Sequence, residues 1–530
     1  MAGVRILVFH GYLLAGTGSN VYNARLAESF VRLGHEVHLL CQDRHPSHQP
    51  FVDAWGDWDE GTLRVQGRRP ISDRPVRCTS YRPDVGTLLP VYVLDRYEAM
   101  QARTFAHCSD EEVERYVEAN VAAVREVAAR ARPEVALANH LVMGPVILAR
   151  ALGGEVPYAV KVHGSALEYT VKPQPERFVA PAREGVEPAG GVLVGSRHTA
   201  ESLWQTLQLD GLRARTRLGP PGVDVRRFAP REGGEARAAL VELKRDLATA
   251  ETEEGGGQDT FARDARAAAD ALARLDVERD RLVAYVGKLI VSKGVELLIA
   301  AWPLVLAREP RARLVVIGFG AYRAGLEELI AALARGRLED GLALALAGRA
   351  REDAQLAPQP LPLLVAFLRR LQAGDEDGRE RYLASAGALP ERVVLTGRLE
   401  HDEVADVLPA CEALVVPSTF PEAFGMVAAE AAACGVLPVS AAHSGLAEVS
   451  GALAGALAPE VAALLSFELD EHAVEAIAER VVGWLSLAEG ERAPARAALV
   501  RTVRARWSWE GVAEGVIAAA RGELDGLKTP

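Results

Sequence analysis

One stretch, Leu414 to Val439, limits the fold more than any other part of the chain; it reads LVVPSTFPEAFGMVAAEAAACGVLPV. The apolar run Leu414–Val416 has the length of a short buried strand. A loop rich in Pro, Ser and Thr follows, from Pro417 to Phe424. Gly425 to Ala433 is then built from Met, Ala, Val and Glu, all good helix formers. Gly435 stops that helix, a second apolar strand opens at Val436, and Pro438 completes the exit signals. A helix that starts just past a strand end is an anion site, because its free N–H groups and its dipole favour a phosphate. Glu422 lies just before the start and Glu430 on the second turn. Helical side chains lean toward the N-terminus, so Glu430 points toward the same crevice as Glu422. Two carboxylates beside an anion site suit a ligand that offers hydroxyls as well as phosphate, such as a nucleotide-sugar. The bland alternative is a core helix with a buried Ala face and two solvated glutamates.

The rest of the chain narrows the class. At 530 residues it has length for two or three domains. It is 49% hydrophobic and 25% charged, as a soluble globular protein is. The net charge of -12 argues against a nucleic-acid binder. Cys41, Cys78, Cys108, Cys411 and Cys434 form no Cys-x-x-Cys pair, so neither a disulfide framework nor a zinc site is indicated, which suits a reducing cytosol. Met1 does not lead into a signal peptide, and every long apolar stretch is broken by Pro, Gly, His or Glu, so no membrane span is expected.

Read in order, the chain repeats one theme: a strand followed by polar residues. Val4–Phe9 is a strand, His10–Asn20 a glycine-bearing loop, Val21–Leu33 an amphipathic helix and Val37–Leu40 the next strand. That is the opening of a doubly wound sheet. The glycines do not fit the dinucleotide fingerprint, so NAD is disfavoured, but Gly16 and Gly18 permit close approach of backbone to a ligand. Residues 41 to 100 read as irregular. Within them Asp57-Trp58-Asp59 reads as a surface loop rather than a metal–diphosphate motif. Arg64, Arg68, Arg69, Arg74, Arg77 and Arg82 form a basic stretch that either is a solvated loop or faces an anionic acceptor or membrane surface. A long helix follows from Asp110 to Arg132. Later strands end in Asn139-His140, in His163-Gly164-Ser165 and in Ser196-Arg197, with Ser196 placed as an N-cap. That edge of an open α/β sheet is where ligands bind. Gly219 to Asp224 is a stiff turn at a domain junction. Residues 231–280 and 350–390 read as two inserts, the first a partly mobile helical excursion. Between them, Leu282–Val286 leads into Gly287-Lys288, then Lys293-Gly294 and a helix from Val295. Two lysines so placed supply cations for a diphosphate. Val393–Leu395 resumes the sheet, His443-Ser444-Gly445 follows another strand, and Trp507–Ala520 is an apolar-faced helix.

These motifs resemble the family-4 retaining glycosyltransferases of the GT-B fold. Glu422 and Glu430 fall on that family's paired glutamates, Phe424-Gly425 on its phosphate-side turn, Lys288 and Lys293 on its donor-phosphate pair, and His163 on a histidine that faces the donor sugar. The family usually has Arg where Lys288 stands, and Lys keeps the charge without the bidentate fork. Ala166 and Glu168 stand where an Asp is common, and Ser444 replaces the first Gly of a Gly-Gly turn. The resemblance implies an α/β fold of two Rossmann-like doubly wound domains facing across a cleft. It puts an acceptor-side domain at 1–218, a donor domain at 219–500, and at 501–530 a helix crossing back to the first domain.

The implied activity is transfer of a sugar from a nucleotide-diphosphate-sugar to a hydroxyl acceptor with retention of configuration. Lys288, Lys293 and the helix start at Gly425 stabilise the departing diphosphate. Glu430 holds the ribose, Glu422 the donor-sugar hydroxyls, and His163 positions the sugar. Gly287, Phe424 and Met426 complete the donor side with Gly16 and Gly18, and Asn139, His140, Ser196 and Arg197 form the acceptor side. No metal or other cofactor is required on this reading. The expected location is the cytoplasm, with peripheral contact at the inner membrane face if the acceptor is lipid-linked or anionic. The alternatives are a sugar-nucleotide epimerase or phosphorylase on the same fold, and a regulatory protein that binds the donor without turnover.

Overall fold

The structure, a computed structural model, describes residues 3–59, 61–69, 76–93, 97, 99–250, 264–353 and 356–530. Arg74, named above, and residues 251–263 of the first stretch read as an insert lie outside them. The chain forms two compact units, Met1–Gly222 with Trp507–Pro530, and Val223–Arg506. The changeovers fall within the Gly219–Asp224 turn and just before Trp507, a few residues from 219 and 501.

Eleven strands of the first unit are described: β1 (Arg5–Phe9), β2 (Glu36–Leu40), β3 (Ala54–Asp59), β4 (Thr62–Arg68), β5 (Cys78–Arg82), β6 (Leu88–Val91), β7 (Gln101–Thr104), β8 (Val135–Asn139), β9 (Tyr158–Val162), β10 (Gly191–Val194) and β11 (Thr216–Leu218). Nine of them form one sheet in the order β11-β10-β9-β8-β1-β2-β5-β3-β4, and β6 pairs with β7 apart from it. Every pairing in the large sheet is parallel except β3 with β4. The pleat sorts each strand between two cores. Leu7 and Phe9 pack on one face with Ala136 and Val160, and Ile6 and Val8 pack on the other with Val37 and Leu137. That second face is covered by the helix Gly18–Arg32 and by the chain's last helix, Trp509–Arg521, which buries Trp509, Ala513, Val516 and Ile517.

The region 41–100 corrects the sequence reading, since it holds β3 to β6. β3 to β5 are short and rich in polar residues, β6 is only four residues long, and β4 is an edge strand with Leu63 as its one buried side chain, so no apolar alternation marks it. Asp57 is therefore in a strand, not a surface loop, and its carboxylate takes two bonds from Arg82 at 2.9 Å. The basic stretch is largely committed as well. Arg69 donates to Val52 O at 2.8 Å, Arg77 to Gly34 O, and Arg82 is held by Asp57.

The second unit contains β12 (Arg281–Val286), β13 (Ala312–Ile317), β14 (Val393–Gly397), β15 (Ala413–Val416), β16 (Leu437–Ala441) and β17 (Ser466–Phe467). They form a parallel sheet in the order β14-β13-β12-β15-β16-β17. In chain order this is 3-2-1-4-5-6, the dinucleotide-fold arrangement, whose switch point lies between β12 and β15. The described residues of the two stretches read as inserts include packed helices. Gly233–Thr249 and Ala265–Ala273 lie together, burying Leu240, Leu243 and Leu247 on one and Ala268 and Leu272 on the other. Residues 350–390 include the helices Pro362–Ala373 and Glu376–Ala386, and Tyr382 Oη donates to Ala300 O at 2.9 Å.

Candidate active site

At a switch point the loops after two neighbouring strands diverge to opposite faces and leave a crevice at the carboxyl edge. In the second unit those loops are Gly287-Lys288 after β12 and Pro417-Ser418 after β15. The Tyr285 hydroxyl donates to Lys288 O at 2.8 Å and fixes the turn that carries Lys288. Gly294 has φ +65°, and a Cβ there would lie 2.0 Å from Pro417 O. Only glycine lets this turn close on the β15 loop, and Thr419 N–H then bonds Ser292 O at 3.0 Å. The result carries Lys293 to the loop, where its ammonium meets Glu422 Oε1.

Glu422 is held on every side but one. Ser418 Oγ donates to the same Oε1 at 2.5 Å. Glu422 N–H donates to Ser444 Oγ at 2.9 Å, and Gly445 N–H donates to Glu422 O at 2.9 Å. His443 Nε2 donates to Ser418 O at 2.7 Å, so its Nδ1 accepts from Ser444 Oγ at 3.0 Å. Burial pushes the Glu422 carboxyl up, but Lys293, the Ser418 hydroxyl and His443 outweigh it and hold the group below its ordinary value. Oε2 bonds no described residue. Ser444, a departure from the Gly-Gly turn, keeps the left-handed backbone at φ +51° and uses its hydroxyl to fix Glu422.

Glu430 sits one turn into the helix Met426–Ala433, 3% exposed, and its Oε1 accepts from His401 Nε2 at 2.7 Å. His401 opens the helix His401–Val407 and packs its ring against Phe228, centroids 4.8 Å apart. Glu430 Oε2 bonds no described residue. Gly425 is the N-cap of the Glu430 helix at φ +123°, where a Cβ would meet Leu446 at 2.7 Å. No side chain caps this helix, so the first-turn N–H groups of Met426 and its neighbour keep their capacity for an anion. Phe424 is buried just before it. The two glutamates thus belong to separate bonded sets, Glu422 with Lys293 and Glu430 with His401.

In the first unit the strand ends of β1, β8 and β9 gather histidines. His163 Nε2 donates to Asn139 Oδ1 at 2.8 Å, and Asn139 Nδ2 donates to Phe9 O at 3.1 Å, so the amide is fixed and His163 Nδ1 is left as an acceptor. Burial, then His140, Lys161 and His10, push the His163 imidazole well below its usual value, so it is neutral at pH 7. Lys161 lies over the Tyr22 ring at 5.3 Å, donates to Gly219 O, and is pushed down to about 7 by burial. His140 has φ +68°, is 2% exposed, and neither ring nitrogen has a hydrogen-bond partner among the described residues. Gly16 has φ +92°, and Gly18 is the first residue of the helix Gly18–Arg32, whose N-cap Thr17 makes no side-chain bond. Ser196 is committed to structure: its Oγ caps the helix Arg197–Leu207 by accepting from Thr199 N at 3.2 Å. Arg197 is exposed and donates to Pro530 O at 3.4 Å.

The sequence reading named the charged residues and missed most of what orients them. His401 and Ser418 carried no signal beyond polarity. His443 had one, since it follows the end of β16. Among the described residues no group of three His, Cys, Asp or Glu is placed to hold a metal, and no helix is long and apolar enough to cross a membrane. All five cysteines are buried and free.

Comparison with known proteins agrees with this geometry. Residues 273–489 match the family described as glycosyl transferases group 1, and residues 17–222 match the glycosyl transferase 4-like domain. A D-inositol 3-phosphate glycosyltransferase of Segniliparus rotundus is 28% identical over 307 residues, 58% of this chain and 47% of that protein. Glycogen synthase of Mycobacterium tuberculosis is 31% identical over 163 residues, 30% of this chain and 33% of that protein. The chain therefore aligns with less than half the length of these curated relatives. Among solved structures, sucrose-phosphate synthase from Thermosynechococcus elongatus superposes with a TM-score of 0.56 at 19% identity over 98% of both chains. Anabaena HepE in complex with UDP and glucose gives 0.52 at 14% identity over 98% of this chain and 99% of that one. At such identities the likeness is one of fold. One matched family on each unit, together with the 3-2-1-4-5-6 sheet and the residues at its carboxyl edge, shows that the chain belongs to the family-4-type glycosyltransferases of the GT-B fold.

Proposed function

We propose that the protein transfers a sugar from a nucleotide-diphosphate-sugar to a hydroxyl acceptor with retention of configuration, and that the second unit holds the donor. The observation that carries this is the pair of half-satisfied carboxylates at one switch point. Glu422 and Glu430 each have one oxygen fixed by a protein donor and one left to accept ligand hydroxyls. Lys293, Lys288 and the uncapped helix start at Gly425 offer positive charge to the diphosphate leaving group. That charge suffices for phosphate departure without a metal on this reading. In the mechanism, Glu430 Oε2 accepts the ribose hydroxyls and Glu422 Oε2 the hydroxyls of the transferred sugar. His163, neutral and with Nδ1 open, accepts from a further sugar hydroxyl rather than carrying charge. The leaving phosphate takes the acceptor's proton as the new bond forms on the face it vacates, so configuration is kept and no protein nucleophile is used. The first unit, with Asn139 and His140, serves the acceptor.

A thermal-shift and hydrolysis screen with UDP-, GDP- and ADP-sugars tests the reading, beginning with UDP because HepE is described with UDP bound. The expected result is stabilisation by one nucleotide class, lost in Glu430→Ala, with slow release of free sugar. No stabilisation by any nucleotide-sugar would overturn the donor site. Retention is read separately, from the anomeric configuration of the product.

A further inference from the structure

A second concave site lies on the opposite edge of the second unit's sheet. Glu412 immediately precedes β15 and Gly435 lies just before β16, so both stand at the amino edge, whereas the loop carrying Glu422 leaves β15 at its carboxyl end. Four strand residues separate the two edges, about 13 Å. The cavity there measures about 580 Å³ and is lined by Arg231, Arg496, Arg501 and Arg504 with Glu412 as the one acidic residue. That volume is in the range of small-metabolite sites, about 300–1,000 Å³.

The charge in this cavity is not balanced from within. Glu412 is already bonded by Arg281 at 3.1 Å, by Arg492 at 3.0 Å and by Arg496, and Arg496 also donates to Glu489 at 3.2 Å, so the surplus charge rests on Arg501 and Arg504. Arg501 and Arg504 are exposed and form no ion pair among the described residues. Arg231 gives one nitrogen to Asp406 at 2.6 Å, while its Nη1 is buried with no hydrogen-bond partner among the described residues. A buried guanidinium N–H without an acceptor is costly, and it gains an anionic oxygen once the side chain turns toward the cavity. Arg496, Arg501 and Arg504 all come from the helix Glu489–Arg506, and at about 100° per residue Arg504 falls between the other two, the three spanning about 140° of its circumference. In a chain of net charge -12 such a concentration of arginine is a specific feature. The apolar remainder of the wall, with Val500 and Cys434, suits a small organic body rather than an extended polymer.

We infer that this arginine-lined cavity at the amino edge of the second sheet binds a small phosphorylated metabolite carrying two phosphoryl groups, at a site separate from the proposed donor site. Bidentate arginine–phosphate pairing is the recognition chemistry.

The test is isothermal titration of the full-length protein with inorganic pyrophosphate in physiological chloride. Three proteins are compared: wild type, the double variant Arg501→Ala/Arg504→Ala, and Lys293→Ala. The double variant removes exposed, unpaired side chains and leaves the fold intact, which circular dichroism verifies. The expected result is a pyrophosphate site in the wild type that weakens at least tenfold in the double variant, persists in Lys293→Ala, and is partly restored in Arg501→Lys/Arg504→Lys. Equal binding by wild type and the double variant would overturn the inference. So would loss in Lys293→Ala alone, which would put the bound pyrophosphate at the donor site, and so would the absence of binding at millimolar concentration. Each outcome is independent of whether the protein transfers sugar.

Discussion

Glu422 is fixed through its backbone as well as its carboxylate, and the two attachments predict different defects. Ser444→Ala removes the acceptor for Glu422 N–H and the donor to His443 without touching charge. Misplacing Glu422 is expected to cost about 1–2 kcal/mol of transition-state stabilisation, so kcat/KM for donor hydrolysis falls about tenfold, while the lost part-buried bond lowers Tm by only a few degrees. A fall in Tm with unchanged kinetics would show that the hydroxyl serves packing alone. Glu296 gives a prediction of another kind. Its carboxyl is buried at the start of the helix Val295–Leu306, Oε2 has no partner, and burial pushes its pKa up to about 8. Between the unfolded value near 4.5 and 8 the folded chain keeps a proton that the unfolded chain has lost, so stability falls as pH rises through that window. Glu296→Gln has no such term. Its stability is expected to match the wild type near pH 5 and to exceed it increasingly toward pH 8, by up to roughly 4 kcal/mol, read as a widening gap in Tm. A gap that does not grow with pH would refute the assignment.

At the scale of elements, the short turn from β12 to the next helix decides whether Lys293 meets Glu422. Gly294→Ala would add both a left-handed strain and a clash with Pro417 O, together about 2–4 kcal/mol. The turn is expected to open before the unit unfolds, so nucleotide-sugar stabilisation should be lost at temperatures where far-UV circular dichroism is still native. This is also where the sequence was most legible. The strand ends, the helix starts at Val295 and Met426, and the paired carboxylates could be read because each is a local pattern of a few residues. The bonds that orient them could not. Ser418 to His443, and Glu430 to His401, join positions 25 and 29 apart, and single polar residues at such spacings carry no periodic signal. The hairpin of β3 and β4 escaped for a different reason, since an edge strand with a single buried side chain has no apolar alternation to read. The arginine cavity draws on segments from Arg231 to Arg504, which only the folded chain assembles.

Across the whole molecule, the first unit is built from both ends of the sequence. Trp509, Ala513, Val516, Ile517 and Ala520 cover the sheet face that carries Ile6, Val8, Val37 and Leu137. Uncovering that face costs on the order of 5–10 kcal/mol, comparable with the whole net stability of a domain, about 5–15 kcal/mol. Residues 1–222 produced alone are therefore expected to bind a hydrophobic dye and aggregate, and to regain solubility when residues 507–530 are supplied on the same chain through a linker. Full solubility of 1–222 by itself would show that the last helix is dispensable. The same layout orders events on the ribosome. The first unit emerges early but lacks its last helix until the entire second unit has been made, a wait on the order of tens of seconds at about 5–20 residues per second. For that interval an apolar sheet face is exposed in a nascent chain, which makes this protein a client for whatever binds such faces during synthesis, and makes the second unit, encoded in one continuous piece, the first of the two to be finished.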